Sequence, residues 1–212
     1  MSDLEFFFDP VCPWAWITSR WVAEVQRQRD YEVTWRFISL QMINEQQTAE
    51  WYTPAYRAGH AAGTQALRVA AAIRETEGNE AVGRFYTAVG ERLHPGGRRT
   101  ELVDRTHDLL VESCGAAGLA SELADARDDQ RHDALIRAET DLAFERTGPD
   151  VGTPILTFHP GQPDEGSYFG PVLARAPKGD EALRLWDAIE ALATTSGVAE
   201  LKRSLRGRPQ FD

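Results

Sequence analysis

Strand chemistry lies at the two ends of this 212-residue chain and is nearly absent from the roughly one hundred residues between them. Any sheet must therefore be assembled from segments far apart in sequence, with a helical block inserted between. Leu4 to Phe8 is a short apolar and aromatic run closed by Asp9-Pro10, the pattern of a buried strand meeting a turn. Residues 14–28 place Trp14, Ile17, Trp21 and Val25 at spacings of three and four, with Arg20, Glu24 and Arg27 elsewhere. That spacing predicts an amphipathic helix with Pro13 in its first turn, where a missing N–H costs nothing. Residues 33–39 alternate Val33, Trp35 and Phe37 against Thr34, Arg36 and Ile38 and predict a second strand. Strand, helix, strand in under forty residues is a βαβ opening.

From Asn44 to Asp150 the period becomes helical. Residues 56–75, 80–93, 101–117 and 131–146 each carry it, separated by Gly78-Asn79, Pro95-Gly96-Gly97 and the glycines 115 and 118. The charge run from Asp125 to Asp133 reads as a solvated face. Strand chemistry returns at residues 153–158 and, after a Pro/Gly turn, at 167–169, a hairpin; a helix follows over 180–194 with Asp180 as N-cap. The polar, arginine-rich end, residues 202–212, reads as an irregular tail. The order βαβ, helical block, ββα predicts an α/β fold, a thioredoxin-like core (residues 1–44 and 150–212) interrupted by a helical insertion (residues 45–149).

Hydrophobic residues make up 42% of the chain, enough for a real core, and 23 basic against 33 acidic residues give a net charge of −10. A chain so acidic has no footprint for nucleic acid or for an anionic membrane. No apolar run approaches the roughly 20 residues of a membrane span. Residues 1–5 lack the basic start of a secretory signal, so the sequence reads as cytoplasmic. Two cysteines, Cys12 and Cys114, are too few for a disulfide framework, and the five histidines show no zinc-ligand spacing with them, so no metal is expected.

The question becomes which thiol does chemistry. Cys12 follows a strand and stands at the start of a helix, where unpaired backbone N–H groups and the helix dipole favour an anion. A thiol there is expected to lose its proton easily and act as a nucleophile, with Pro13 fixing the turn that presents the sulfur. The competing reading is a small buried hydrophobe. Cys114, at a helix end inside the insertion, reads as structural. A redox motif of this kind runs Cys-Pro-x-Cys, and here Ala15 holds the fourth place. A second thiol would attack a mixed disulfide on Cys12; Ala15 has nothing to attack with, so an outside thiol must release it. Either the chain is a natural monothiol enzyme, or Ala15 replaces a resolving cysteine in a variant made to trap a mixed disulfide. Trp14, between Cys12 and Ala15, reads as a wall of the substrate pocket on the motif's rim.

The segments Phe8-Asp9-Pro10-Val11-Cys12-Pro13-Trp14-Ala15-Trp16, Val151-Gly152-Thr153-Pro154 and Phe169-Gly170-Pro171-Val172 resemble the DsbA-like, FrnE-type thioredoxin-fold proteins of actinobacteria. Among these the mycothiol-dependent nitroreductase family is the most similar, and the likeness covers nearly the whole chain, from Ile17-Thr18-Ser19-Arg20-Trp21 to Pro209-Gln210-Phe211-Asp212. The resemblance implies a cytoplasmic reductase that takes electrons from mycothiol, a low-molecular-weight thiol, needs neither metal nor flavin, and closes its helical insertion over the site as a lid. It implies that Thr153-Pro154 is a cis-proline loop facing Cys12 and that Asn44, Tyr56 and His94 line a cleft for thiol or substrate, His94 as a candidate proton donor. Arginines near that cleft are candidates for an anionic group of the thiol, with none singled out. Ala15 departs from the family, which has cysteine there.

Three functions remain open on these residues. The first is a monothiol, mycothiol-dependent thiol-disulfide oxidoreductase acting on a disulfide or a small electrophile such as a nitro compound. The second is a thiol S-transferase or isomerase similar to the kappa-class glutathione transferases, which Ala15 favours and Cys12, standing where serine is expected, disfavours. The third is a catalytically silent binding or chaperone-like protein. The sequence leaves a homodimer open.

Overall fold

The computed structural model describes residues 3–203, 205 and 207–211. Of the irregular tail, Ser204, Arg206 and Asp212 lie outside the described residues. The chain forms two compact units: a sheet unit (residues up to Phe8, Cys12–Arg36 and from Ala143 on) and a helical unit (Asp9–Val11 and Phe37–Leu142).

The sheet unit carries β1 (Leu4–Phe8), β2 (Val33–Phe37), β3 (Ile155–Phe158) and β4 (Gly166–Phe169), in the order β2-β1-β3-β4. The strand order unites the two ends of the chain: β1 runs antiparallel to β3, pairing Leu4 with Phe158 and Phe7 with Ile155, and β3 antiparallel to β4. Every residue of β1 is buried, as a central strand requires. Its one charge, Glu5, meets Arg36 (2.9 Å) and Arg146; burial alone would raise its carboxyl, but the two guanidinium groups outweigh that and hold it below the usual carboxylate range. Helices α1 (Pro13–Gln26) and α8 (Gly179–Ala193) pack together through Trp21, whose Nε1 donates to the Ala182 carbonyl (2.9 Å) and whose ring lies 5.3 Å from that of Trp186. Phe158 and Tyr31 meet the same Trp186 ring nearly edge-on, joining helices and sheet in one aromatic core.

The helical unit contains α2 (Leu40–Ile43), α3 (Pro54–Glu77), α4 (Asn79–Leu93), α5 (Arg99–Asp104), α6 (Thr106–Ala116), 3₁₀ turns at Ser121–Asp128 and Gln130–His132, and most of α7 (Asp133–Thr147). The buried face of α3 is built largely of small residues, Ala62, Gly63, Ala66, Ala70 and Ala71. Phe37, at the start of the unit, donates its N–H to the buried Glu139 of α7 (2.8 Å), and Glu139 is in turn paired with Arg74 of α3 (3.0 Å).

Three expectations are corrected. The helix read over 101–117 breaks at Arg105, whose backbone leaves the helical region (φ −139°, ψ 46°), and the Thr106 hydroxyl donates to the Leu102 carbonyl (2.7 Å) across the break. Asp180 is not the N-cap of α8: the helix starts at Gly179, whose N–H is received by Glu24 of α1 (3.0 Å), so the capping carboxylate comes from a distant element. Ile38 is fully buried, because β2 ends at Phe37 and the chain turns into α2. The charged stretch 125–133 is exposed or half-buried throughout, as a solvated face is, and forms most of the 3₁₀ turns, with Asp133 held by two bonds from Arg68 (2.6 and 2.8 Å).

Candidate active site

Cys12 is the N-cap of α1. Its backbone is extended (φ −79°, ψ 113°), Pro13 occupies the first helical position, and Sγ accepts the Ala15 N–H at 3.4 Å. The first turn itself carries no acidic residue to oppose the positive end of the helix. On its other side Sγ lies 3.5 Å from the carbonyl oxygen of Thr153. The Thr153–Pro154 peptide is cis, as is Gly170–Pro171, which the sequence did not flag. Thr153 is pinned to β1 by its hydroxyl, which donates to the Phe7 carbonyl (3.2 Å); the Pro154 carbonyl receives Gly170 N–H (2.9 Å). The second proline loop is tied to α1 by Thr18 Oγ1, which donates to the Pro171 carbonyl (2.8 Å).

The sheet unit thus brings Cys12, Pro13, Trp14, Ala15, Thr153 and Pro154 together. Cys12 is 6% exposed and Ala15 fully buried, while Trp14 is half-buried, off the buried face of α1 that Ile17, Trp21 and Val25 provide.

The other three candidates belong to the helical unit. Asn44 is the C-cap of α2, its side-chain amide donating to the Leu40 carbonyl (2.8 Å). Tyr56, exposed in the first turn of α3, has its ring 6.1 Å from that of Trp51 and 6.0 Å from that of His60. His94, the C-cap of α4, is buried, and its Nε2 lies 3.0 Å from the Pro10 carbonyl; a carbonyl only accepts, so Nε2 carries the proton. Burial pushes the imidazole down to about 4, with the Pro10 bond acting against that and the Arg99 charge with it. At neutral pH the ring is uncharged, with its Nε2–H committed to Pro10.

Two residues of this unit were missed in sequence. Asp9, which reads there as a strand-ending turn residue, is fully buried; Oδ1 accepts Val11 N–H (3.0 Å) and Oδ2 accepts Leu40 N–H (2.8 Å). Burial pushes its carboxyl up to about 7 against those two bonds and the charge of Arg99. Arg99 donates from Nη2 to the carbonyl oxygen of Val11 (2.9 Å), the residue before Cys12. Arg99 stands in a run of arginines with no local distinction, and only the fold selects it. Gly63 of α3 makes the close approach feasible: a Cβ there would fall 2.7 Å from Asp9 Oδ1 and 3.2 Å from the Val11 methyls. Cys114 is fully buried, and burial pushes its thiol up to about 11, which leaves it inert near neutrality.

Among the described residues no cluster of three or more His, Cys, Asp or Glu side chains could hold a metal ion, and no helix is long and apolar enough to cross a membrane.

The geometry agrees with the relatives. A model of the Rv2466c-like family, described as mycothiol-dependent nitroreductase Rv2466c, matches residues 11–203. The uncharacterized protein Rv2286c of Mycobacterium tuberculosis is 32% identical over 206 residues, covering 96% of this chain and 82% of the relative. Among solved structures, the cytosolic disulfide reductase DsbM of Pseudomonas aeruginosa superposes with a TM-score of 0.60 in its structure with GSH, at 15% identity, over 88% of this chain and 98% of that one. A second structure of DsbM gives 0.57 at 15% identity over 89% and 98%. These likenesses carry the DsbA-like thioredoxin fold. The chain is an oxidoreductase that belongs to the Rv2466c-like family of mycothiol-dependent nitroreductases.

Proposed function

We propose that the chain is a monothiol, mycothiol-dependent reductase in which Cys12 is the nucleophile. The observation that carries this is the setting of Sγ: a helix N-terminus with the Ala15 N–H aimed at it, and a buried methyl group where a resolving thiol would stand. N–H groups at such a terminus stabilise the thiolate, the form that attacks.

The residues present suit a thiol partner, since the Cys12 sulfur is the one reactive group in the motif and nothing within the turn competes with an incoming thiolate. The Cys12 thiolate attacks a disulfide substrate, forming a mixed disulfide and expelling one thiolate. A mycothiol thiolate displaces the second substrate thiol from Cys12, and another frees Cys12 as mycothiol disulfide leaves. Two electrons pass from two mycothiol molecules to one substrate disulfide, and Cys12 ends as it began. A nitro compound is the other acceptor class: its reduction to the nitroso level takes the same two electrons and releases water. Trp14, half-buried beside Cys12, supplies a flat apolar wall for such an acceptor. Asn44 and Tyr56 serve as contacts for thiol or acceptor, and the protein works in the cytoplasm.

The test is intact mass after incubation with mycothiol disulfide. One adduct on Cys12, stable alone and removed by added mycothiol, together with mycothiol oxidation that Cys12→Ser abolishes, is the expected result. No adduct, or turnover that survives Cys12→Ser, overturns the reading.

A further inference from the structure

The two residues ahead of Cys12 have three backbone hydrogen-bonding groups: Pro10 offers only a carbonyl, Val11 an N–H and a carbonyl. Each is met by a side chain. His94 donates to the Pro10 carbonyl (3.0 Å), Asp9 accepts the Val11 N–H (3.0 Å), and Arg99 donates to the Val11 carbonyl (2.9 Å). The turn that delivers the chain to Cys12 is therefore held by side chains.

Among the three, Asp9 has a double part. Its second oxygen holds Leu40 N–H (2.8 Å), the start of α2, so one carboxylate ties the Cys12 turn to the entrance of the helical unit's long segment. Gly63 lies so close that the carboxylate is confined between α3 and the turn. We propose that Asp9 is a positioning residue for the nucleophile, whose ionisation state sets how firmly Val11 is held and hence how reactive Cys12 is. The proposal rests on the reading of Cys12 as nucleophile. As a carboxylate, Asp9 accepts both N–H groups. Once protonated, one oxygen becomes a donor facing an N–H, and one of the two bonds is lost.

The charged and titratable groups around Asp9 are few. Arg99 of α5 favours the carboxylate, and Tyr52, ahead of α3, is coupled to Asp9. His94 and His60 feel the same Arg99 charge, which opposes their protonation, as burial does. From α2 comes the Leu40 N–H, and from α3 Gly63 makes the close approach. The burial that pushes the carboxyl up to about 7 places its ionisation in the neutral range.

The experiment uses the full chain and two readouts from about pH 5 to about pH 9: the rate at which iodoacetamide modifies Cys12, read by peptide mass, and the amide shifts of Val11 and Leu40 by NMR. The wild-type rate profile is expected to show, besides the ionisation of the thiol, an inflection at the midpoint shared by the two amides. Asp9→Asn, which mimics the protonated carboxyl, is expected to lose that inflection, matching wild type in acid and falling below it in alkali. The expected loss is roughly tenfold, within the hundredfold that a misplacement of about 1 Å costs a reacting group. Profiles of the same shape in both proteins, or amides that titrate without a matching inflection in the rate, overturn the proposal. Should Asp9→Asn not fold, the coincidence of midpoints in wild type decides the matter. Turnover that survives Cys12→Ser would sink the functional reading while leaving these midpoints measurable, so the two failures are distinct.

Discussion

Thr153 holds its carbonyl oxygen 3.5 Å from the sulfur of Cys12, which also accepts the Ala15 N–H at 3.4 Å. The sulfur thus has an acceptor and a donor within reach, one suited to a thiol and one to a thiolate. A group so placed changes its proton state with little movement, since each form finds a partner already in position.

Ala15→Cys tests how much of the proposed cycle depends on the missing thiol. The new sulfur enters a fully buried site, and overpacking of this kind costs roughly 1–3 kcal/mol. The expected product after oxidation is an internal disulfide between positions 12 and 15, with adducts on Cys12 released without added mycothiol. Intact mass checks both; adducts as persistent as in wild type would contradict the assigned role of position 15.

Cys114 should be invisible to alkylating reagents in the native protein. With its thiol pushed up to about 11 and fully buried, it reacts only after unfolding. Thiol counting should give one modified cysteine, Cys12, in buffer and two in denaturant. Modification of Cys114 at a rate comparable to Cys12 would refute this.

Gly63→Ala should strain the Asp9 clamp directly. The added methyl falls 2.7 Å from Asp9 Oδ1 and 3.2 Å from the Val11 methyls, and these side chains must give way, at a cost of roughly 1–3 kcal/mol. A urea midpoint unchanged from wild type would show that the approach is looser than it stands here.

Glu139 carries a larger load. Removing its carboxylate in Glu139→Ala takes away the acceptor of the Phe37 N–H and the buried counter-charge of the Arg74 guanidinium, which stacks 4.1 Å over the Phe37 ring. Breaking a buried pair on one side costs about 3–5 kcal/mol, whereas Glu139→Gln keeps an acceptor and should cost less. Equal losses for the two variants, measured by denaturant unfolding, would refute this.

Stability against pH carries two opposed contributions. Asp9 keeps a proton in the folded chain up to about 7, whereas an ordinary aspartate releases it near 3.8, so stability falls as pH rises between those values. His94 stays neutral down to about 4 where an ordinary histidine protonates near 6.5, so stability falls as pH drops through that window. Over the shared range the two slopes cancel, each being about 1.4 kcal/mol per pH unit. His94→Asn, whose amide can still donate to Pro10, removes one of them, and the variant should gain on wild type as pH falls from 6.5 towards 4. A difference between the two proteins that is constant across that range would disprove the assignment.

Much of the fold was legible because it rests on local periodicity. The strand at Leu4–Phe8, the helix after Pro13 and the hairpin from Ile155 to Phe169 all follow from patterns within a few residues. What was not legible depends on partners distant in sequence. The cap of α8 is supplied by Glu24, and the break before α6 is one non-helical residue, Arg105, with no glycine or proline to mark it. At the site, the setting of Cys12 at a helix start could be read from its neighbours. Asp9 and Arg99 could not, because a carboxylate after a strand and an arginine among arginines carry no local mark, and only burial and the Val11 carbonyl distinguish them.

The chain passes between the two units at Phe8, Val11, Arg36 and Leu142, and this has a consequence for biosynthesis. Cys12 is synthesised ahead of Gly63, His94 and Arg99, and β3, the partner of β1, arrives only with Ile155. At about 5–20 residues per second that interval is on the order of ten seconds, during which the nascent chain carries a bare cysteine with neither its turn nor its carbonyl partner. The helix start that favours the thiolate is local to Cys12, whereas the clamped turn and the carbonyl partner are conferred only by segments made later, and a product terminated before Ile155 would lack that partner.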